Sequence, residues 1–294
     1  MTTAAPSFQF SITRLQDYLE LAKLRLVSLT LMSTGVGFYL AAAGPLDKTL
    51  FFFTLLGSGL VAAGSMTLNQ WMERLEDAQM MRTAKRPLPT GRLRSKEALG
   101  FGLLLSAAGL AVLYMTTNFI ATFIAAMILF SYILAYTPLK KTTTFCTIVG
   151  AIPGALPPLI GWAAVRGVPS YHAWTLFALI FFWQMPHFLA IAWKCRSEYE
   201  AAGFQMLSVG DKDGSRISGQ IIFNAMILLP VSLMPTLVGL TGIIYFFGAF
   251  ALGVWFLILG LTSIHRLNEK ARGIFVASIL HLTALQLLMI LDKV

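Results

Sequence analysis

The chain has 294 residues, 57% apolar and only 12% charged, about half the charged fraction of a soluble domain. Apolar runs of roughly bilayer-spanning length, about 20 residues each, recur along it and leave no room for a separate soluble domain. The net charge of +9 therefore reads as membrane-topology bias, with no nucleic-acid partner expected, and Cys146 and Cys195 are too few for a disulfide framework.

Residues 1–22 lack the early basic region, apolar core and small-residue cleavage site of a signal peptide. Ile12, Leu15, Leu19 and Ala22 recur there at helical spacing, with Arg14, Asp17 and Glu20 elsewhere. This pattern predicts a short amphipathic helix at the membrane interface. Nine spans follow, near 24–43, 49–68, 97–115, 118–137, 144–164, 172–193, 219–239, 243–262 and 272–291. Backbone polar groups inside a bilayer must be satisfied internally, so each span is a helix. The fold class is all-α, a polytopic membrane protein forming one domain over 1–294. Pro153, Pro157 and Pro158 remove helical hydrogen bonds from the fifth span, which should be kinked or broken beside a cavity.

Nine spans place alternate loops on opposite sides. Of the 22 Lys and Arg residues, all but Lys48, Arg166 and Lys293 then fall on one side. The positive-inside rule makes that side cytoplasmic, with the N-terminus inside and the C-terminus outside. All the acidic residues except Asp47 and Asp292 share it, although topology does not require this. They gather mainly in the two longest loops, 69–96 and 194–218, where any chemistry is expected.

The first of these loops reads TLNQWMERLEDAQMMRTAKRPLPTGR over 67–92. Asn69, Glu73 and Asp77 stand at i, i+4 and i+8, on one helical face. Oxygen ligands of this kind suit Mg²⁺, which takes one or two carboxylates and completes its shell from phosphates and water. Arg82, Lys85 and Arg86 follow, and arginine forks match phosphate oxygens. Acids beside bases make sense if a metal-bound diphosphate sits between them; a solvated loop with topogenic arginines is the plainer alternative.

The second loop and the span before it read WQMPHFLAIAWKCRSEYEAAGFQM over 183–206. His187, Ile191, Lys194 and Glu198 are spaced to share a helical face, and Pro186 cannot donate to the Phe182 carbonyl. An intramembrane histidine is a functional candidate, and neutral imidazole is a common axial ligand of haem iron; a histidine bonded to a neighbouring helix is the alternative. His281, on the last span, has no motif around it and reads as structural.

These stretches resemble the UbiA prenyltransferases, in the form typical of haem O synthases. Asn69, Glu73, Asp77, Met80, Arg82, Thr83, Arg86, Pro87, Leu88 and Gly91 fill the first signature, with Glu73 where Asp is commoner. W-Q-x-P-H-F at 183–188, YTPLKKTT at 136–143 and GALPPLIGW at 154–162 match further signatures. A second D-x-x-x-D, usual in the wider family, is missing. The resemblance implies nine helices around a central cavity and Mg²⁺ held by Asn69, Glu73 and Asp77, with Glu198 a weaker candidate. It implies diphosphate held by Arg82, Lys85, Arg86, Lys140, Lys194 and Arg196, and haem beside His187, Trp183 and Gln184. The implied reaction is farnesyl transfer from farnesyl diphosphate to a vinyl group of haem B with addition of water, in the cytoplasmic (inner) membrane. Transient contact with haem A synthase or terminal oxidase assembly is compatible with it. A UbiA enzyme acting on a quinone precursor is the near alternative. A transporter or lipid-binding protein is the distant one, for which inverted repeats would be expected.

Overall fold

The computed structural model describes residues 12–294; the part of the N-terminal segment before residue 12 lies outside them. Among the described residues the protein is helical, and nine helices or helix pairs are long and apolar enough to cross a membrane. In chain order the elements are α1 (Ile12–Ala22), α2 (Leu24–Ala41), α3 (Lys48–Met72), α4 (Arg74–Asp77), α5 (Ser95–Thr116) and α6 (Phe119–Phe130). A π-helical turn (Ser131–Tyr136) and α7 (Thr137–Leu139) continue α6. Then come α8 (Cys146–Ala155), α9 (Pro157–Arg166), α10 (Tyr171–Lys194), α11 (Arg196–Ala201), α12 (Leu207–Gly210), α13 (Ser215–Leu237), α14 (Ile243–Leu261) and α15 (Leu267–Leu291). Each predicted span corresponds to one of the nine. The chain is a multi-pass membrane protein.

Large apolar side chains such as Phe52, Leu104, Phe123 and Phe247 are exposed on the outside of the bundle, where lipid replaces a protein neighbour. Inside, helices cannot associate by hydrophobic burial alone, so small residues and internal hydrogen bonds hold them. The α2–α9 crossing shows this. A methyl added to Gly37 would lie 2.1 Å from the Pro158 carbonyl oxygen, and one added to Gly161 would lie 2.0 Å from that of Thr34. Buried hydroxyls bond within their own helices, as Thr54 Oγ1 does to the Leu50 carbonyl at 2.7 Å. Gln286 Nε2 crosses from α15 to Ser33 Oγ at 2.8 Å.

The fifth span is broken at Leu156 between α8 and α9. Pro157 begins α9, where its missing N–H costs nothing. The sixth span behaves differently, because α10 runs through Pro186 without ending. The two ends of the bundle also differ. At one, connections are short and charges cap helices: Arg166 Nε donates to the Ala41 carbonyl and Lys293 Nζ to that of Tyr39, at 2.7 and 2.6 Å. Cations at the C-terminal end of α2 complement its dipole. The other end carries the long loops.

At that loop end α1 packs on 88–98 through Leu21, Tyr18, Leu88, Leu93 and Ala98. Arg92 pairs with Asp17 and with Glu20, and Arg14 with Glu97. Leu15 and Leu19 stay exposed. The helix thus turns one face to the protein and leaves leucines for the interface.

Candidate active site

The site grows from the end of α3. Glu73 leaves helical geometry (φ −91°, ψ 13°), yet its N–H donates to the Asn69 carbonyl at 2.9 Å and the Asp77 N–H to the Glu73 carbonyl at 2.7 Å. The helical rise therefore passes through the joint, and Asn69, Glu73 and Asp77 occupy successive turns, as their spacing predicts. All three are buried, at 2%, 6% and 1% exposure. Asn69 Nδ2 donates to Thr137 Oγ1 at 3.2 Å, and Thr137 Oγ1 donates to the Tyr132 carbonyl at 2.8 Å. The amide nitrogen is occupied, which leaves Oδ1 as the atom of Asn69 that could coordinate a cation. Thr137 stands just after the π-helical turn. Such turns often occur at functional sites, and here Pro138 adds a residue unable to donate a backbone hydrogen bond.

Each acid faces a cation. Arg86 Nη1 bonds Asp77 Oδ2 at 2.7 Å, and Lys140 Nζ bonds Glu73 Oε1 at 2.7 Å. Lys141 pairs with Glu76. Lys140 also lies 4.6 Å over the Tyr136 ring. Burial works against its charge, but Tyr136 and Glu73 outweigh it and hold its pKa above the ordinary lysine value. Thr83 Oγ1 donates to the Asp77 carbonyl at 2.8 Å, closing the loop around the acid. Arg82, Lys85 and Lys194 are exposed.

The later loop forms a roof. Ala202, Phe204 and Met206 meet Met80 from the first loop and Cys146 from the start of α8 in a small apolar cluster. The Gln205 N–H donates to the Lys140 carbonyl at 2.6 Å. Glu198 Oε2 accepts from the Arg82 N–H at 3.1 Å. Glu198 lies on α11, just past the formal end of α10 at Lys194. The Cys195 N–H donates to the Ile191 carbonyl at 3.0 Å and the Tyr199 N–H to the Cys195 carbonyl at 2.9 Å, so helical bonding passes this joint as it does at Glu73. Arg196 stacks on Trp193 at 4.2 Å, and Lys194 Nζ lies 5.6 Å over Phe275. Among the described residues neither forms an ion pair. Nor do the described residues contain three or more His, Cys, Asp or Glu side chains grouped to hold a metal. A cation here would use two carboxylates, Glu73 and Asp77, with the Asn69 carboxamide oxygen. That donor set fits Mg²⁺ if phosphate and water supply the rest.

Below the roof, His187 Nδ1 lies 2.8 Å from Ser278 Oγ. Its ring is near-parallel to Trp183 at 5.1 Å and tilted 33° against Phe275 at 4.9 Å. Trp183 Nε1 donates to the Ser278 carbonyl at 2.6 Å. Gln184 points elsewhere: it is 2% exposed and Nε2 donates to the Ala151 carbonyl at 2.6 Å, so it joins α10 to α8. His281 is buried with both ring nitrogens unpartnered among the described residues and packs on Phe256 at 5.1 Å. Structure thus separates the two intramembrane histidines.

The sequence pattern of the UbiA prenyltransferase family matches residues 30–283. A protoheme IX farnesyltransferase of Solibacter usitatus is 44% identical over 95% of this chain and 99% of its own length. The chain belongs to the UbiA prenyltransferase family. Its fold is shared by a solved structure concerned with digeranylgeranylglyceryl phosphate synthase in membranes (TM-score 0.80, 17% identity, 96% of this chain and 99% of that one). It is also shared by a UbiA homolog from Archaeoglobus fulgidus bound to DMAPP and Mg²⁺ (TM-score 0.67, 17% identity, 93% and 99%).

Three residues of this UbiA chain join the site without having been singled out by their sequence pattern. Thr137 orients Asn69, and Tyr136 carries Lys140 on its ring; both lie in the YTPLKKTT signature, which had pointed only to Lys140. The third is Lys23, at the joint of α1 and α2. Its backbone is left-handed (φ 49°, ψ 53°), a conformation uncommon for non-glycine residues. Burial first, then the Arg86 and Lys140 charges, push its pKa down to about 7, against the opposing pull of Glu73 and Asp77. The strained joint had one visible signal, a lysine directly before an apolar span.

Proposed function

We propose that this chain transfers the farnesyl group of farnesyl diphosphate to a vinyl group of haem B, with addition of water, giving haem O and diphosphate. Prenyl transfer is supported most directly by one observation: two buried acids one turn apart, each paired with a cation, at the mouth of an apolar helical bundle. The haem acceptor is supported by the full-length similarity to proteins named protoheme IX farnesyltransferase and by His187 beside aromatic rings.

Asn69, Glu73 and Asp77 would hold Mg²⁺, which supplies positive charge to the diphosphate as it leaves. Arg86 and Lys140 exchange their carboxylate partners for phosphate oxygens, so charge stays balanced when substrate enters. Arg82, Lys85 and Lys194 are exposed cations that draw the anionic substrate in; Arg196 stands on Trp193 at the same end. Such preorganised charge acts where negative charge develops, as the bond from C1 to the diphosphate oxygen breaks. The terminal vinyl carbon bonds to C1, and water captures the resulting porphyrin-side cation and loses a proton. Tyr136 and Phe204 beside Lys140, and Trp183 beside His187, offer aromatic faces, which favour cations. The roof of Met80, Phe204 and Met206 limits the water that reaches C1 first. In this reading the loop end faces the cytoplasm, the N-terminus is cytoplasmic and the C-terminus outside, in the cytoplasmic (inner) membrane.

The test is incubation of purified protein with haem B, farnesyl diphosphate and Mg²⁺, followed by mass analysis of the extracted haem. A gain of one farnesyl group plus one water, abolished by chelation, is expected. Unchanged haem together with farnesylation of a quinone precursor would overturn the acceptor and keep the reaction class.

A further inference from the structure

Ser278 has a single hydroxyl proton and two short contacts. Its Oγ lies 2.7 Å from the Phe275 carbonyl oxygen, three residues earlier on α15, and 2.8 Å from His187 Nδ1. Two oxygens do not rest 2.7 Å apart without a hydrogen between them, and back-bonding to the preceding turn is a habit of helical serine. The hydroxyl proton therefore lies toward Phe275. Ser278 can only accept from His187, so His187 Nδ1 carries the proton. A neutral imidazole has one N–H, and Nε2 is left as a bare lone pair.

The surroundings fix this choice. The Ser278 carbonyl accepts from Trp183 Nε1 at 2.6 Å, which ties α15 to the helix that bears His187. Trp183 and Phe275 hold the ring plane from nearby aromatic faces. Nε2 has no hydrogen-bond partner among the described residues, and His187 is half-buried, so its free edge is accessible. The other intramembrane histidine, His281, lacks any partner that would select a tautomer.

We infer that Ser278 is a positioning residue that locks His187 as the Nδ1–H tautomer and so presents Nε2 as an axial ligand for the iron of the acceptor haem. The ligand assignment rests on the haem reading above; the tautomer does not. Metal-bound histidines are commonly held this way, by an acceptor on the remote nitrogen.

The tautomer is read first, without haem, from ¹⁵N shifts of histidine-labelled protein, with the His187 signals assigned by their loss in His187→Asn. Protonated Nδ1 and bare Nε2 are expected; a protonated Nε2 overturns the inference whatever haem does. Ferric haem B is then titrated into wild type, Ser278→Ala and Ser278→Thr, followed by absorption and electron paramagnetic resonance. Wild type should give a histidine-ligated spectrum that His187→Asn lacks. Ser278→Ala should bind haem about 10- to 100-fold more weakly with a mixed tautomer signal, and Ser278→Thr should restore both. Equal haem affinity and an unchanged tautomer in Ser278→Ala overturn the positioning role. No haem uptake by wild type with the expected tautomer overturns the acceptor reading and the iron-ligand assignment together.

Discussion

The Asp77 carboxylate and the Arg86 guanidinium, nine residues apart in one loop, meet at 2.7 Å with the acid almost wholly buried. A buried pair with one member removed leaves an uncompensated charge, which is costly. Asp77→Asn keeps the shape and leaves Arg86 facing a neutral amide. Prenyl transfer should fall about 100- to 1,000-fold, the scale seen when one preorganised electrostatic group is lost. The assay is product formation per mole of folded protein, with folding checked by circular dichroism in detergent. Activity near the wild-type level would remove Asp77 from the metal site.

Lys23 supplies a pH dependence with a definite sign. Its pKa, pushed down to about 7 by burial and by Arg86 and Lys140, makes it mostly charged at pH 6 and mostly neutral at pH 8. A charged lysine favours capture of an anion, so kcat/KM for the prenyl diphosphate should decline as pH rises through about 7. Arginine does not titrate in this range. The ratio of wild type to Lys23→Arg should therefore fall with pH, while titration of the substrate itself cancels. Parallel profiles would place Lys23 outside the substrate's reach.

The repeating parts of this molecule were legible in its sequence. Asn69, Glu73 and Asp77 could be aligned because helical hydrogen bonding continues across Glu73 even though the helix formally ends there. The same continuity holds across Cys195, between α10 and α11, where i to i−4 bonds run on through the joint. What WKCRSEYE does not announce is the partner of Glu198, the Arg82 N–H, which comes from another loop. Gln184 and Arg196 show another limit. Their partners, the Ala151 carbonyl and the Trp193 ring, depend on which helix lies against which side of α10, and periodicity carries no such information. The hydroxyl of Thr137 acts through tertiary contact with Asn69, 68 positions away in the chain, beyond any local pattern.

Close helix approach gives a stability prediction. A methyl at Gly37 would overlap the Pro158 carbonyl at 2.1 Å, and backbone cannot yield as a side-chain tip can. Gly37→Ala should cost about 1–3 kcal/mol or more by overpacking, seen as a lower unfolding temperature in detergent. Gly100, exposed on α5, has nothing within 4 Å of an added methyl. Gly100→Ala should be neutral or stabilise by up to about 1 kcal/mol through helix propensity. If both changes act alike, the α2–α9 crossing is looser than its geometry states.

The last prediction separates the two intramembrane histidines. His281 is fully buried, with neither ring nitrogen bonded among the described residues. Leaving a polar group buried without a partner costs about 1–3 kcal/mol, whereas an apolar group of similar shape removes that cost. His281→Leu should therefore unfold at the same or a higher temperature and keep prenyl transfer. His187→Leu should fold yet lose transfer to the acceptor, because it removes the accessible Nε2 and leaves Ser278 without its donor. The comparison needs one thermal melt and one activity assay per variant. Loss of transfer in a well-folded His281→Leu would shift the acceptor-facing role to α15 and overturn the structural reading of that residue.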